Sequence, residues 1–194
     1  MCGLLIGGTS HCGRSSAART VAGRLGWEHR STDLLARHPG RPWPIPDRKV
    51  PPHVAEHYRT LTVDESTGSV LDHHTRLRPR VVELIAERVR EDGPGLVLEG
   101  SALRPGNVAA LSVPHTRAVW LTADEETLEA RMRESARDAE NRALVDEFLA
   151  RSLRHQRLTV ASVDALGLRR LDTSGLSLAE AVDAVLERPC RQVP

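Results

Sequence analysis

The chain has 194 residues, 40% hydrophobic and 27% charged, with a formal charge of +1 at pH 7. That balance describes a globular chain long enough for one domain with a proper core, and excludes a disordered one. It offers no basic surplus to suggest nucleic acid or an anionic membrane, and no apolar run nears the roughly 20 residues that span a bilayer. The apolar N-terminal segment is too short, and lacks the flanks, for a signal peptide. Cys2, Cys12 and Cys190 cannot all pair and have no metal-ligand spacing. A cytoplasmic protein is the expectation. Aromatics are only 3%, so the core must be built from Leu, Val and Ala.

In chain order, "CGLLIGG" is a short apolar run ending in glycines, the pattern of a buried parallel strand. Ser15 to Leu25, rich in Ala and Arg, reads as the helix that follows. "WEHRS" predicts a second strand, with Asp33 just past its end. "ARHPGRPWPIPDRKVPP" is too dense in Pro and Gly for regular structure, and a loop of that length in a small domain is usually functional. His53 to Asp92 turns helical, with a break near "TVDESTG" and a kink expected at Pro79. "GLVLEG" is a strand followed by the loop "SALRPGN", and "TRAVWLTA" is another strand. Asp124 to Val163 is helical and charge-rich, interrupted near Asn141. "GLRRLDTSG" gives a last strand and turn, and Ser177 caps a closing helix.

Strands alternating with helices imply a parallel sheet covered on both faces, with ligands bound beyond the C-terminal strand ends. The glycine loop, Asp33, Glu99 with Gly100, and Thr122 with Ala123 all fall at such ends. The loop itself runs Gly8-Thr9-Ser10-His11-Cys12-Gly13-Arg14-Ser15-Ser16. This is the spacing G-x-x-x-x-G-basic-Ser between a strand and a helix. Glycines let the backbone curl its N–H groups toward an anion, and the helix adds its positive end. The other reading is a glycine-rich turn that merely packs.

Such loops carry lysine where this one has Arg14. A guanidinium is longer and planar, so it can hold phosphate oxygens but not from the same point. Lys49 is the only lysine in the chain, so a general drift toward arginine could have carried Arg14 with it. Ser15, Asp33 and Glu99 are the candidate metal residues. Asp33 could also take a proton from an acceptor hydroxyl, or simply cap the segment "LLARH"; Glu99 could instead pair with an arginine. Gly100 would let a ligand approach the backbone.

Among the arginines of "EARMRESARDAENR", a charge run that usually marks a solvated face, Arg131 and Arg137 are the first candidates to close over a phosphoryl group. Arg133 and Arg142 are read as surface. Thr173 and Ser174 of "LDTSG" could pack on a nucleotide base, or form an ordinary turn. His11 could donate to a phosphate; His38, Arg41 and Trp43 could line an acceptor pocket. Adjacent His73 and His74 make a poor metal pair.

Through "GGTSHCGRSS", "LVLEGSALRPG", "FLARSLRHQRL" and "LDTSG", the chain resembles the P-loop kinases of the nucleoside-monophosphate-kinase-like group, and within it the 2-phosphoglycerate-kinase-like branch. "STDLLARHPG" is similar to the acid after the second strand in shikimate and gluconate kinases. The resemblance implies a three-layer α/β fold with a five-stranded parallel sheet, Mg-ATP as donor, and a small hydroxylated acceptor. It also implies one domain over 1–194, an arginine-bearing lid at about 124–142 and an acceptor-side cover at about 38–90, where Arg76, Arg78 and Arg80 could meet an anionic acceptor.

The expected function is ATP-dependent phosphoryl transfer to a hydroxyl of a small metabolite, by a monomer or homodimer. The rival is a nucleotide-binding protein with little or no turnover, acting through a partner, which Arg14 favours. A kinase acting on nucleic-acid ends is disfavoured by the neutral charge and the few aromatics.

Overall fold

The computed structural model describes residues 3–36, 40–44, 49–90, 93–111 and 113–187, apart from the side chains of 89 and 90. His38, Cys2 and Cys190 lie outside them. Five strands, β1 (Gly3–Gly8), β2 (Glu28–Ser31), β3 (Leu96–Glu99), β4 (Thr116–Thr122) and β5 (Arg170–Asp172), form one sheet in the order β2-β3-β1-β4-β5. Every pairing is parallel, as the strand–helix alternation predicts. β1 lies between β3 and β4, with Ile6 opposite Glu99 on one side and Val119 on the other. That register brings the glycine loop, Glu99 and the exit of β4 to one edge.

Side chains of a strand alternate between faces, and each face has its own core. Leu4, Ile6, Val97, Val119 and Leu121 pack with Ala17, Ala18 and Val21 of α1 (Arg14–Leu25). The same cluster takes in Leu128 and Met132 of α5 (Glu125–Ser135) and Val182 and Val185 of α7 (Leu178–Glu187). On the opposite face Leu5, Leu96, Leu98, Ala118 and Trp120 meet Val81 and Ile85 of α3 (Val63–Arg90), Val108 of α4 (Pro105–Ala109) and Val163 of α6 (Arg142–Ala165). Trp120 is buried there without loss, because its Nε1 donates to the Leu103 carbonyl at 2.8 Å.

The helix boundaries follow from caps. α2 (Pro52–Thr60) and α3 are separated at Leu61 and Thr62, just ahead of the expected break. Thr62 and Glu65 form a capping box: the Glu65 amide donates to Thr62 Oγ1 at 3.3 Å and the Thr62 amide to Glu65 Oε2 at 2.9 Å. "VDESTG" is therefore the first turn of α3, which continues through Pro79. Asn141 caps α6 by accepting from the Leu144 amide, so the predicted interruption falls where the structure has one. "SALRPGN" is not all loop: Pro105, suited by its fixed φ to a first helical position, opens α4.

Candidate functional site

Glycine at position 8 is a steric requirement. Its φ is +140°, and a Cβ there would lie 2.4 Å from the Leu121 carbonyl oxygen and 2.8 Å from Cys12 Sγ. Gly13 (φ +83°) then turns the chain into α1, which has no side-chain N-cap and no acid in its first turn. Its leading amides are left for a ligand. His11 sits between them in the left-handed region at φ +62°, unusual for a residue with a side chain. Buried Cys12 donates its thiol to the Thr9 carbonyl at 3.1 Å, and burial pushes that thiol's pKa up, which leaves it a packing group.

The loop is held from several directions. Arg131 reaches from α5 to the His11 carbonyl at 3.3 Å and to the Thr173 carbonyl at 2.9 Å. Buried Thr173 places its hydroxyl 3.0 Å from the Cys12 carbonyl and 2.9 Å from that of Thr122. Ser174 is fixed by Asp172, which accepts from its amide at 2.9 Å and from its hydroxyl at 2.6 Å. The β5 turn thus braces the back of the loop.

Inside the loop, Arg14 turns back toward the sheet and is only 7% exposed. Its Nε donates to Glu99 Oε2 at 2.5 Å, Nη1 to the Gly8 carbonyl at 2.6 Å, and Nη2 to Asp33 Oδ2 at 3.2 Å. Burial alone would disfavour the cation, but the carboxylates of Asp33 and Glu99 outweigh it and hold the Arg14 pKa above its ordinary value. Ser15 Oγ donates to the same Glu99 oxygen at 3.2 Å. Ser15, Asp33 and Glu99 are therefore brought together, around a guanidinium. Of the two roles open to Glu99, the arginine pair is the one present. Arg14 takes one oxygen of each carboxylate, Asp33 Oδ2 and Glu99 Oε2, and no group of three or more His, Cys, Asp or Glu side chains placed for a metal occurs among the described residues. Arg14 thus stands among the residues on which a Mg²⁺ ion would draw.

Asp33 is not a cap. The 3₁₀ turn Thr32–Leu34 is capped by Ser31, whose Oγ accepts from the Asp33 amide at 3.3 Å. Its carboxylate is free to reach Arg14 through Oδ2, while Oδ1 is enclosed and has no hydrogen-bond partner. Gly100 serves this turn and not a ligand: a Cβ there (φ +152°) would fall 1.6 Å from Thr32 Oγ1.

A cavity of about 390 Å³ opens beside the loop, lined on that side by Thr9 to His11, Gly13 to Ser16 and Asp33. The opposite wall is a part of α6 within the charge-rich helical stretch: Phe148, Arg151, Ser152 and His155. These share one helix face at spacings of three and four, a pattern visible in "FLARSLRHQ" but hidden by the charge around it. Arg151 is 6% exposed. Its guanidinium lies 4.7 Å from the Phe148 ring centre and 5.3 Å from that of Tyr58, with no carboxylate paired to it among the described residues. Among the described residues its one hydrogen bond, Nη2 to Ser152 Oγ, is long at 3.5 Å, and Nε has no partner. Phe148 alone of the aromatics reaches the cavity; Trp43 and the chain's one Tyr are buried in the core against it, with the Trp43 and Phe148 ring centres 4.9 Å apart and those of Tyr58 and Phe148 5.7 Å apart.

Arg41 and His11 also line the cavity. Burial, then the charges of Arg41 and Arg131, bring the His11 pKa from 6.5 down to about 4, so the ring is neutral at pH 7. The charged lining comprises four arginines (Arg14, Arg19, Arg41, Arg151) against one carboxylate, Asp33, although the whole chain is close to neutral. His74 is wholly buried behind the wall, 3.2 Å from Ser101 Oγ through Nε2, with its ring 5.6 Å from that of His155.

Arg137 is not among the lining residues; it is exposed and pairs with Glu134 at 2.9 Å and Asp138 at 3.4 Å. Arg133 pairs with Glu129 and Asp146, and Arg142 donates to the carbonyls of Ala136 and Arg137. Arg76, Arg78 and Arg80 are exposed on α3 and line no part of the cavity.

The architecture has solved counterparts. A gluconokinase from Sinorhizobium meliloti 1021 is 18% identical, with 96% of this chain and 90% of that one covered at a TM-score of 0.55. A sugar kinase from Janibacter sp. HTCC2649 is also 18% identical, with 96% and 93% covered at 0.57. A shikimate kinase from Bacteroides thetaiotaomicron is 13% identical, with 96% and 99% covered at 0.51. No family model and no curated protein matches the chain. The chain has the fold of the P-loop kinases.

Proposed function

We propose that this protein transfers a phosphoryl group from ATP to a hydroxyl of a small, anionic metabolite. The observation that carries the reading is the meeting, at one cavity, of a phosphate loop with free helix-end amides and the partly exposed carboxylate of Asp33. In this reading the loop amides hold the donor phosphates and His11, neutral at pH 7, can donate a hydrogen bond to them. The Asp33 carboxylate accepts the proton of the attacking hydroxyl. Arg151, a cation with no acid of its own, holds a carboxylate or phosphate of the acceptor in register. The gluconokinase, sugar kinase and shikimate kinase that share the fold support a small-molecule acceptor.

Incubation with ATP and a panel of hydroxylated carboxylates and sugar phosphates, followed by ³¹P NMR, tests this. A new phosphomonoester is expected, and Asp33→Asn should lower kcat by about 10²–10⁴ while nucleotide affinity changes little. An unchanged kcat in that variant removes Asp33 from the role. Occupation of Arg14 by its own carboxylates favours the second reading, a nucleotide-binding protein without turnover. It predicts ATP binding with no product from any acceptor.

A further inference from the structure

Resting on the ATP-binding reading above, we infer that Arg14 is the site's built-in cation and takes the place of the divalent metal. A guanidinium has five N–H groups. In Arg14 three are spent, one each on Glu99 Oε2, the Gly8 carbonyl and Asp33 Oδ2. One N–H remains on Nη1 and one on Nη2, at a residue that lines the phosphate side of the cavity.

A metal in such a site would draw on the Ser15 hydroxyl and, directly or through water, on Asp33 and Glu99. Here each of those carboxylates already carries a guanidinium bond, and Ser15 is bonded to the oxygen of Glu99 that Arg14 also holds. A second cation would sit against a buried guanidinium that already bonds one oxygen of each carboxylate. The planar fork reaches Glu99, Gly8 and Asp33 at once, which the single ammonium of a lysine cannot do. Substituting lysine should therefore free carboxylate oxygens and reopen the place for a metal. The substitution that distinguishes this loop is then an exchange of cation, and it keeps Glu99, 2% exposed, compensated when no ligand is bound.

The test is calorimetric titration of the full chain and of Arg14→Lys with ATP, each in excess Mg²⁺ and in EDTA, with thermal melts to show both are folded. The expected result is a native affinity that differs by less than about twofold between the buffers, and an Arg14→Lys affinity at least about tenfold tighter with Mg²⁺. Equal dependence on Mg²⁺ in both proteins overturns the exchange and leaves the ATP site standing. Indifference to Mg²⁺ in both also overturns it, because Arg14 would then not be the cause. Heat in neither buffer from the native protein overturns the ATP reading itself, and this inference with it.

Discussion

Two arginines on opposite walls of one cavity, Arg14 and Arg151, are almost equally buried, at 7% and 6% exposed. Arg14 is met by two carboxylates and a carbonyl; Arg151 is met by two aromatic rings and a distant hydroxyl. A buried charge without a partner is costly, and a fold keeps one where a ligand supplies the counter-charge. Arg14 is therefore a structural cation that a phosphate can share, and Arg151 a receptor that waits for an anion. Burial alone does not separate the roles; the partners do.

Replacing each by methionine, similar in length and uncharged, tests the difference directly. Arg14→Met strands Glu99 with the Ser15 hydroxyl, and loss of one partner from a buried pair costs about 3–5 kcal/mol, read by urea or thermal melts. A cost under 1 kcal/mol would mean the cluster relaxes and Arg14 holds nothing together. The next effect, in pH, belongs to the loop between the two arginines. His11 has a folded pKa of about 4 against an ordinary 6.5, so below 6.5 the unfolded chain takes the proton first. Stability should fall as the pH drops from 6.5 to 4, by on the order of 3 kcal/mol in all. Asn tolerates the left-handed backbone that His11 occupies, so His11→Asn should flatten this part of the profile without loop strain. Bound sulfate, countering Arg41 and Arg131, should shrink the loss in the native protein.

What the sequence revealed, and what it hid, follows the reach of each signal. The strands and the glycine loop were legible because short apolar runs and glycine spacing are local. Asp33 and Glu99 were picked out as carboxylates at strand ends, yet their partner was open, because residues 14, 33 and 99 meet only through the register of the strands and the length of a guanidinium. Gly100 was read as room for a ligand; the packing of Thr32 against it has no trace in the sequence. Arg151 was missed because it lies in a helix dense in charge, where an arginine is normally solvated. A low aromatic content pointed to an aliphatic core, yet Trp120 stands in one core and Trp43, Tyr58 and Phe148 are gathered in the other, where Phe148 reaches the cavity.

The smallest change in stability should come from the receptor arginine. Arg151→Met gives up two ring contacts, each worth about 0.5–2 kcal/mol for a cation, but also removes a charge that was desolvated without an acid to meet it. The terms oppose, and the melt should move by less than about 1 kcal/mol. The ligand response should not be spared. An anion that binds only the folded state raises Tm by mass action, and sulfate should do so in the native protein through the loop amides and Arg151 together. In Arg151→Met the sulfate-induced rise should fall by at least about half, since a charge-assisted bond of about 1.5–3 kcal/mol is gone. If Arg151→Met instead costs as much stability as Arg14→Met and leaves the sulfate response intact, both arginines are structural and the cavity has no anion receptor on its α6 wall.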